Sequence, residues 1–241
     1  YYSVFRGATG VEAALNSYLS GQSSSQFFEK FNAVLSGNPV SGAAVELTID
    51  PLMQQAAWDA LGNLQGSVVA LDPVTGNILA MVSKSSFDAN EIAGHDNQTV
   101  ADNYARLEQD PTKPLINKTI SGDLYHPGSV FKLVVAAAAL ESGLYTNDSM
   151  FQNPVSIQLP GSTAEVFNST ERPCGSGAPT VSLIDAMSLS CNIPFVELGL
   201  ALGQDRLRAQ AELFGFGKEL RVPMVVTPST FPPALDEAQL A

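Results

Sequence analysis

Ser129 and Lys132 stand three residues apart in the stretch His126-Pro127-Gly128-Ser129-Val130-Phe131-Lys132. On a helix that spacing puts both side chains on one face. A serine hydroxyl is a weak nucleophile until a base takes its proton. A lysine can be that base only when its ammonium form is disfavoured, by desolvation or by nearby positive potential. The following run, Leu133-Val134-Val135-Ala136-Ala137-Ala138-Ala139-Leu140, is apolar on every side and predicts a helix surrounded by protein. A polar pair at the mouth of such a helix meets the need. The helix N-terminus adds N–H donors and positive potential for a developing oxyanion. By itself Ser-x-x-Lys is a weak pattern, and a capping serine with a surface lysine fits the same letters.

A second polar group follows at Ser190-Cys191-Asn192, between two stretches with helical character. A hydroxyl there can relay a proton, and the amide can hold a substrate carbonyl or the lysine itself. Ser-x-Asn alone also fits a plain helix-ending turn. His126 adjoins Ser129 in sequence, where tuning the hydroxyl competes with packing the turn. Cys174 and Cys191 are the only cysteines, so one intramolecular disulfide is the only one available; two unrelated buried thiols are the other reading. The bond would persist outside the cytoplasm and would pin the segment around Cys174 beside Asn192.

The elements that must position these groups are partly legible. Pro127 and Gly128 break what precedes Ser129, since Gly128 reaches backbone angles closed to other residues. Glu141-Ser142-Gly143 reads as the helix stop. Ser182-Leu183-Ile184-Asp185 resembles a capping box that opens a helix ending near Ser190. Pro194 starts the next helix, with Phe195, Leu198 and Leu200 inward, and Asp205 to Phe214 forms another. Val155 to Leu159 predicts a short strand. Upstream, Val45 to Ile49 alternates like a strand. Asp50-Pro51 marks a helix running to about Leu61, on which Trp58 packs. Gly66–Ala70 and Asn77–Val82 are predicted strands around a turn at Asp72. Residues 84–120 are polar and irregular, with helix expected over Tyr104 to Asp110. At the N-terminus, Thr9-Gly10-Val11-Glu12 looks like a capping box ahead of Val11, Leu15 and Leu19, and Phe27, Phe28, Phe31, Val34 and Leu35 form a second apolar cluster closed by Gly37-Asn38-Pro39. The prolines at 223, 228, 232 and 233 argue for loop or edge.

Length and charge set bounds. The 241 residues make one large domain, or one with a small appendage, and 45% apolar content supplies a core. A net charge of −12 argues against nucleic acid and against binding anionic lipid by charge. His95 and His126 are too few for a His-rich metal site, and no metal or cofactor is expected. The Asn-x-Ser/Thr sequons at Asn97, Asn117, Asn147 and Asn168 are read as chance in polar loops.

Together the motifs resemble those of the penicillin-binding proteins and serine β-lactamases. Tyr125 to Lys132 resembles the Pro-Gly-Ser-x-Phe-Lys form of the class B, monofunctional transpeptidases, and within them the actinobacterial penicillin-binding protein A type. Asn117-Lys118, Ser190-Cys191-Asn192, the hairpin near Asp72 and Phe214-Gly215-Phe216-Gly217 carry the likeness over most of residues 1–220. Arg6, Gly7, Gly10 and Glu12 resemble a linker motif of that family.

The resemblance implies an α+β fold, with helices around an antiparallel sheet that is incomplete in this chain. It implies a remnant of an N-terminal non-catalytic domain and linker at 1–42, and the N-terminal part of a transpeptidase domain at 43–241. It implies a D,D-transpeptidase acting on peptidoglycan stem peptides ending in D-Ala-D-Ala and acylated by β-lactams. Ser129 would be nucleophile, Lys132 base, Ser190 relay and Asn192 a substrate-amide contact. Further implied partners are a membrane glycosyltransferase and other division or elongation proteins. The implied location is the extracytoplasmic face of a bacterial membrane, with an N-terminal anchor outside these residues. The family's Lys-Thr-Gly or Lys-Ser-Gly motif is missing; Lys118-Thr119-Ile120 lacks the glycine. It is expected beyond Ala241, so this chain alone is expected not to catalyse. A D,D-carboxypeptidase or serine β-lactamase, and a penicillin-recognising sensor or non-catalytic envelope scaffold, are the alternatives.

Overall fold

The computed structural model describes residues 2–3, 7–22, 27–37, 42–236 and 238. Arg6, Asn38 and Pro39 lie outside them. The chain divides into two compact units, one of residues 1–123 and 219–227, the other of 124–218 and 228–241. The class is α+β, and the strands pair as five two-stranded antiparallel ladders among the described residues.

The first unit opens with β1 (Tyr2–Ser3) paired to β2 (Gly7–Ala8). The predicted Val11, Leu15, Leu19 face lies on two short helices, α1 (Gly10–Ala14) and α2 (Asn16–Leu19), broken at Leu15. Thr9 is the N-cap of α1, but its side chain makes no capping bond. The second apolar cluster is helical, α3 (Phe27–Ser36), with Phe28, Phe31 and Leu35 exposed. Asp50 caps α4 (Pro51–Leu61) as expected: its carboxylate accepts from Leu52 N at 2.8 Å and Met53 N at 3.0 Å. Trp58 packs under Lys84, whose Nζ is 4.1 Å from the ring centroid.

The hairpin is β3 (Gly66–Leu71) against β4 (Ile78–Lys84). Its turn is held by Asp72, which accepts from Val74 N and Thr75 N; those bonds hold its carboxyl below the usual range. Val45 to Ile49 forms no strand and joins no ladder. It follows β4 through Thr48 Oγ1 to Ile78 O, and Asp50 N to Leu79 O. Val45 and Leu47 are exposed, so the alternation has neither a covered side nor the partner in register that a ladder needs. The expected loop of 84–120 holds more structure than foreseen: a 3-10 turn (Ala89–Ile92) and α5 (Asn97–Gln109). The helix starts seven residues before Tyr104 because Asp96 caps it, accepting from Thr99 N at 2.9 Å. Ile92, Val100 and Leu107 form its small core.

The second unit is built on α6 (Lys132–Glu141) and α8 (Ile193–Leu213), linked by α7 (Leu183–Ser188) and by the pairs β5 (Met150–Gln152) with β8 (Thr180–Ser182) and β6 (Ser156–Gln158) with β7 (Glu165–Phe167). The N-cap of α7 is Ser182. Its Oγ accepts from Asp185 N as the predicted box requires, while Asp185 Oδ2 accepts from the Ser182 hydroxyl in place of the main-chain N–H. α8 joins both predicted helices across a kink at Gly203, whose φ of 77° is left-handed. On it Phe195 and Leu198 are buried as expected, while Leu202 rather than Leu200 completes the inner face. The core runs through Val135, Ala139, Phe151, Leu183, Cys191, Leu198 and Leu207. α6 is not covered all round: Leu133 and Leu140 are exposed, and Val134, Val135, Ala138 and Ala139 are buried. A last pair, β9 (Leu220–Val222) and β10 (Met224–Val226), belongs to the first unit and turns at Pro223, which donates no ladder bond. No helix among the described residues is long and apolar enough to cross a membrane.

Candidate active site

The four polar residues singled out from the sequence lie together in the second unit. Ser129 is not in the α-helix itself. It sits in a 3-10 turn, Gly128–Phe131, and the α-helix begins at Lys132. Gly128 takes φ +56° to enter that turn. The Ser129 side is exposed, whereas Lys132 is 9% exposed. An exposed serine thus carries its hydroxyl within 3.2 Å of a buried amine.

Ser190 arrives by a different device. The end of α7 is a Schellman cap: Cys191 N donates to Ala186 O at 2.8 Å, and Ser190 N to Met187 O at 3.1 Å. The residue between them must be left-handed, a place glycine usually fills. Here it is Ser190, at φ +56°. That conformation costs a serine about 1 kcal/mol or more. It turns both the Ser190 carbonyl and its hydroxyl onto one amine, at 2.7 and 3.1 Å from Lys132 Nζ.

Lys132 Nζ also lies 2.7 Å from Asn192 Oδ1 and 3.2 Å from Ser129 Oγ. The two shortest contacts, Ser190 O and Asn192 Oδ1, are to atoms that only accept. They use two N–H bonds. An ammonium then has one N–H left for the two hydroxyls, whereas a neutral amine turns its lone pair toward them. Burial pushes Lys132 below the ordinary lysine range. Among the described residues no carboxylate pairs with it to oppose that shift. The Phe195 ring, 5.7 Å from Nζ, adds an apolar wall. An amine so placed can take a proton from Ser129 and pass one to Ser190.

Asn192 is held at both ends. Its Nδ2 donates to Phe167 O at 2.6 Å, which leaves Oδ1 for Lys132. Its main-chain N–H donates to Asn168 Oδ1 at 2.8 Å. Asn168, 3% exposed, is the site neighbour that sequence reasoning missed. It entered only as part of a chance sequon, and nothing local marks it. Cys174 and Cys191 form a disulfide that ties the 174–177 segment to the residue between Ser190 and Asn192. His126 is exposed. A cavity of about 550 Å³ adjoins Lys132 and Asn192, walled by Phe131, Phe195, Leu207 and Phe231.

A fold of this class with this site has relatives. The penicillin-binding protein transpeptidase domain model matches residues 66–227, and the penicillin-binding protein A dimerisation domain model matches residues 1–45. The chain belongs to the penicillin-binding protein transpeptidase family. It is 43% identical, over its whole length, to the peptidoglycan D,D-transpeptidase PbpA of Mycolicibacterium smegmatis, and 41% identical to PbpA of Mycobacterium tuberculosis, covering 50% of each. The crystal structure of PBPA from M. tuberculosis matches all of this chain with a TM-score of 0.93 at 40% identity, 55% of that chain being covered. The imipenem acyl-enzyme complex of the same protein matches with a TM-score of 0.92 at 40% identity and 56% coverage. The chain thus spans about half the length of the curated relatives it matches.

Proposed function

We propose that the protein carrying this chain is a peptidoglycan D,D-transpeptidase working through an acyl-enzyme on Ser129. Lys132 takes the Ser129 proton as Oγ attacks the carbonyl carbon of the penultimate D-Ala in a stem peptide. The tetrahedral oxyanion collapses, the C–N bond breaks, and the leaving D-Ala nitrogen receives the proton by way of Ser190 Oγ. An ester on Ser129 remains. The amine of a neighbouring stem attacks it and gives up a proton along the same route. The ester C–O bond breaks, Ser129 regains its hydrogen, and a new amide cross-link is left. Asn192 holds Lys132 and contacts the substrate amide.

The observation that carries this reading is the amine between two hydroxyls, 3.2 Å from Ser129 Oγ and 3.1 Å from Ser190 Oγ. The M. tuberculosis relative forms acyl-enzymes with imipenem and penicillin G. By the same logic a β-lactam mimics D-Ala-D-Ala here and leaves Ser129 as a slowly hydrolysed ester. Residues 1–42 are the end of a non-catalytic domain and linker, and 43–241 belong to the catalytic domain. The partners are stem peptides, a membrane glycosyltransferase and division or elongation proteins, at the outer face of a bacterial cell membrane. Intact-mass analysis after benzylpenicillin tests it: one adduct is expected, mapped to Ser129 and lost in Ser129→Ala. An adduct elsewhere, or none, overturns the reading. Rapid nitrocefin turnover would instead make the protein a hydrolase.

A further inference from the structure

We propose that Asn168 is a positioning residue for this reaction, acting through Asn192; the inference rests on the reading above. Asn168 follows β7, and its carboxamide is buried and used at both ends. Its Oδ1 accepts from Asn192 N at 2.8 Å, and its Nδ2 donates to Arg172 O at 3.2 Å. The Asn168 carbonyl accepts from Glu171 N at 2.9 Å, closing a turn in which Glu171 takes φ +52°. The acceptor aimed at Asn192 is thus carried by a short loop that is bonded to itself.

The consequence for Lys132 is a matter of which atom it meets. An asparagine amide has a donor end and an acceptor end of almost the same shape. Only the acceptor end can hold a neutral amine by its N–H while leaving the lone pair free. Two neighbouring residues set that choice. Phe167 O takes the Asn192 Nδ2, and Asn168 Oδ1 fixes the main chain from which the Asn192 side chain projects. Without the second bond the Asn192 N–H, at the start of α8, has no partner in that loop, and the main chain that carries the amide can shift. The distance from Lys132 Nζ to Oδ1, and with it the direction of the lone pair toward Ser129, is then no longer set.

The experiment is acylation of the full-length protein carrying this chain by benzylpenicillin under saturating conditions. It resolves the maximal rate from the concentration giving half that rate. In Asn168→Ala the maximal rate is expected to fall at least ten-fold while the half-saturating concentration moves less than three-fold. The comparison is Leu198→Ala, a core truncation on α8 that removes none of the hydrogen bonds to Asn192 or Lys132, assayed at the same interval below its own Tm. It is expected to acylate close to the parent rate. A parent rate in Asn168→Ala, or an equal loss in both variants, overturns the inference. Should Asn168→Ala not fold, Asn168→Ser, one bond shorter than asparagine, is read by the same two outcomes. Failure of the parent protein to acylate at Ser129 is a separate result that removes the functional reading itself.

Discussion

Lys132 Nζ and Asn192 Oδ1, sixty residues apart in the chain, lie 2.7 Å from each other. The contact is between a buried amine and a neutral acceptor. A carboxylate in the same place would favour the ammonium form far more strongly than the neutral amide does. Asn192→Asp is therefore expected to raise the Lys132 pKa. At neutral pH penicillin acylation should slow by ten-fold or more and recover as pH rises. The pH profile of the acylation rate checks this; an unshifted profile counts against Lys132 as base.

In the parent protein the same amine fixes the direction of pH dependence. Burial depresses Lys132 in the folded state relative to the unfolded chain. The folded form then binds fewer protons at this site, so its contribution to stability rises with pH between the depressed value and the ordinary lysine value. Acylation rises over the depressed value too, because the neutral amine is the active form. Lys132→Met should remove that part of both dependences, read from denaturation midpoints and acylation rates across pH.

Ser190 separates stability from function. At φ +56° it occupies a glycine place in the Schellman cap. Ser190→Gly relieves a left-handed serine, which stabilises by about 0.5–1 kcal/mol. It also removes the hydroxyl 3.1 Å from Lys132. The variant is expected to melt at the parent temperature or slightly above it and to acylate at least ten-fold more slowly. A lower Tm would mean that the hydroxyl contributes more to the fold than the backbone strain takes away.

The Cys174–Cys191 bond closes a loop with a sequence separation of 17. Loop-closure entropy for that length is worth roughly 3 kcal/mol. The double variant Cys174→Ala/Cys191→Ala should lose about that much in urea denaturation. Because Cys191 lies between Ser190 and Asn192, the acylation rate should fall with it. Full stability after the double change would mean that the buried core around Cys191 holds the loop unaided.

Much of the local structure could be read directly. Asp50 before Pro51 starts a helix because a carboxylate two residues ahead satisfies N–H groups that the helix leaves open. The Asp72 turn and the Ser182–Asp185 box follow the same kind of short-range chemistry. Where reading failed, the deciding partner was remote. Val45 to Ile49 has strand alternation but no strand in register. The α5 start was missed at Asp96, in a polar stretch whose apolar residues are too sparse to show the helical period. The α6 run looked buried on all sides because composition cannot say which face meets neighbours.

The pairing of Ser129 with Lys132 belongs to the sequence alone, because three residues along a helical turn fix a neighbour regardless of the rest of the molecule. The convergence of Ser190 and Asn192 on that amine belongs to the tertiary structure. It needs α6 and α8 packed side by side, and a backbone at Ser190 that no local preference would choose. Asn168 makes the division plain: its letters lie in an ordinary polar loop, and only the packed chain presents its side-chain Oδ1 to Asn192. Local spacing can nominate a base and a nucleophile. The desolvation that makes the base available, and the amide that orients it, exist only once distant segments have closed around it.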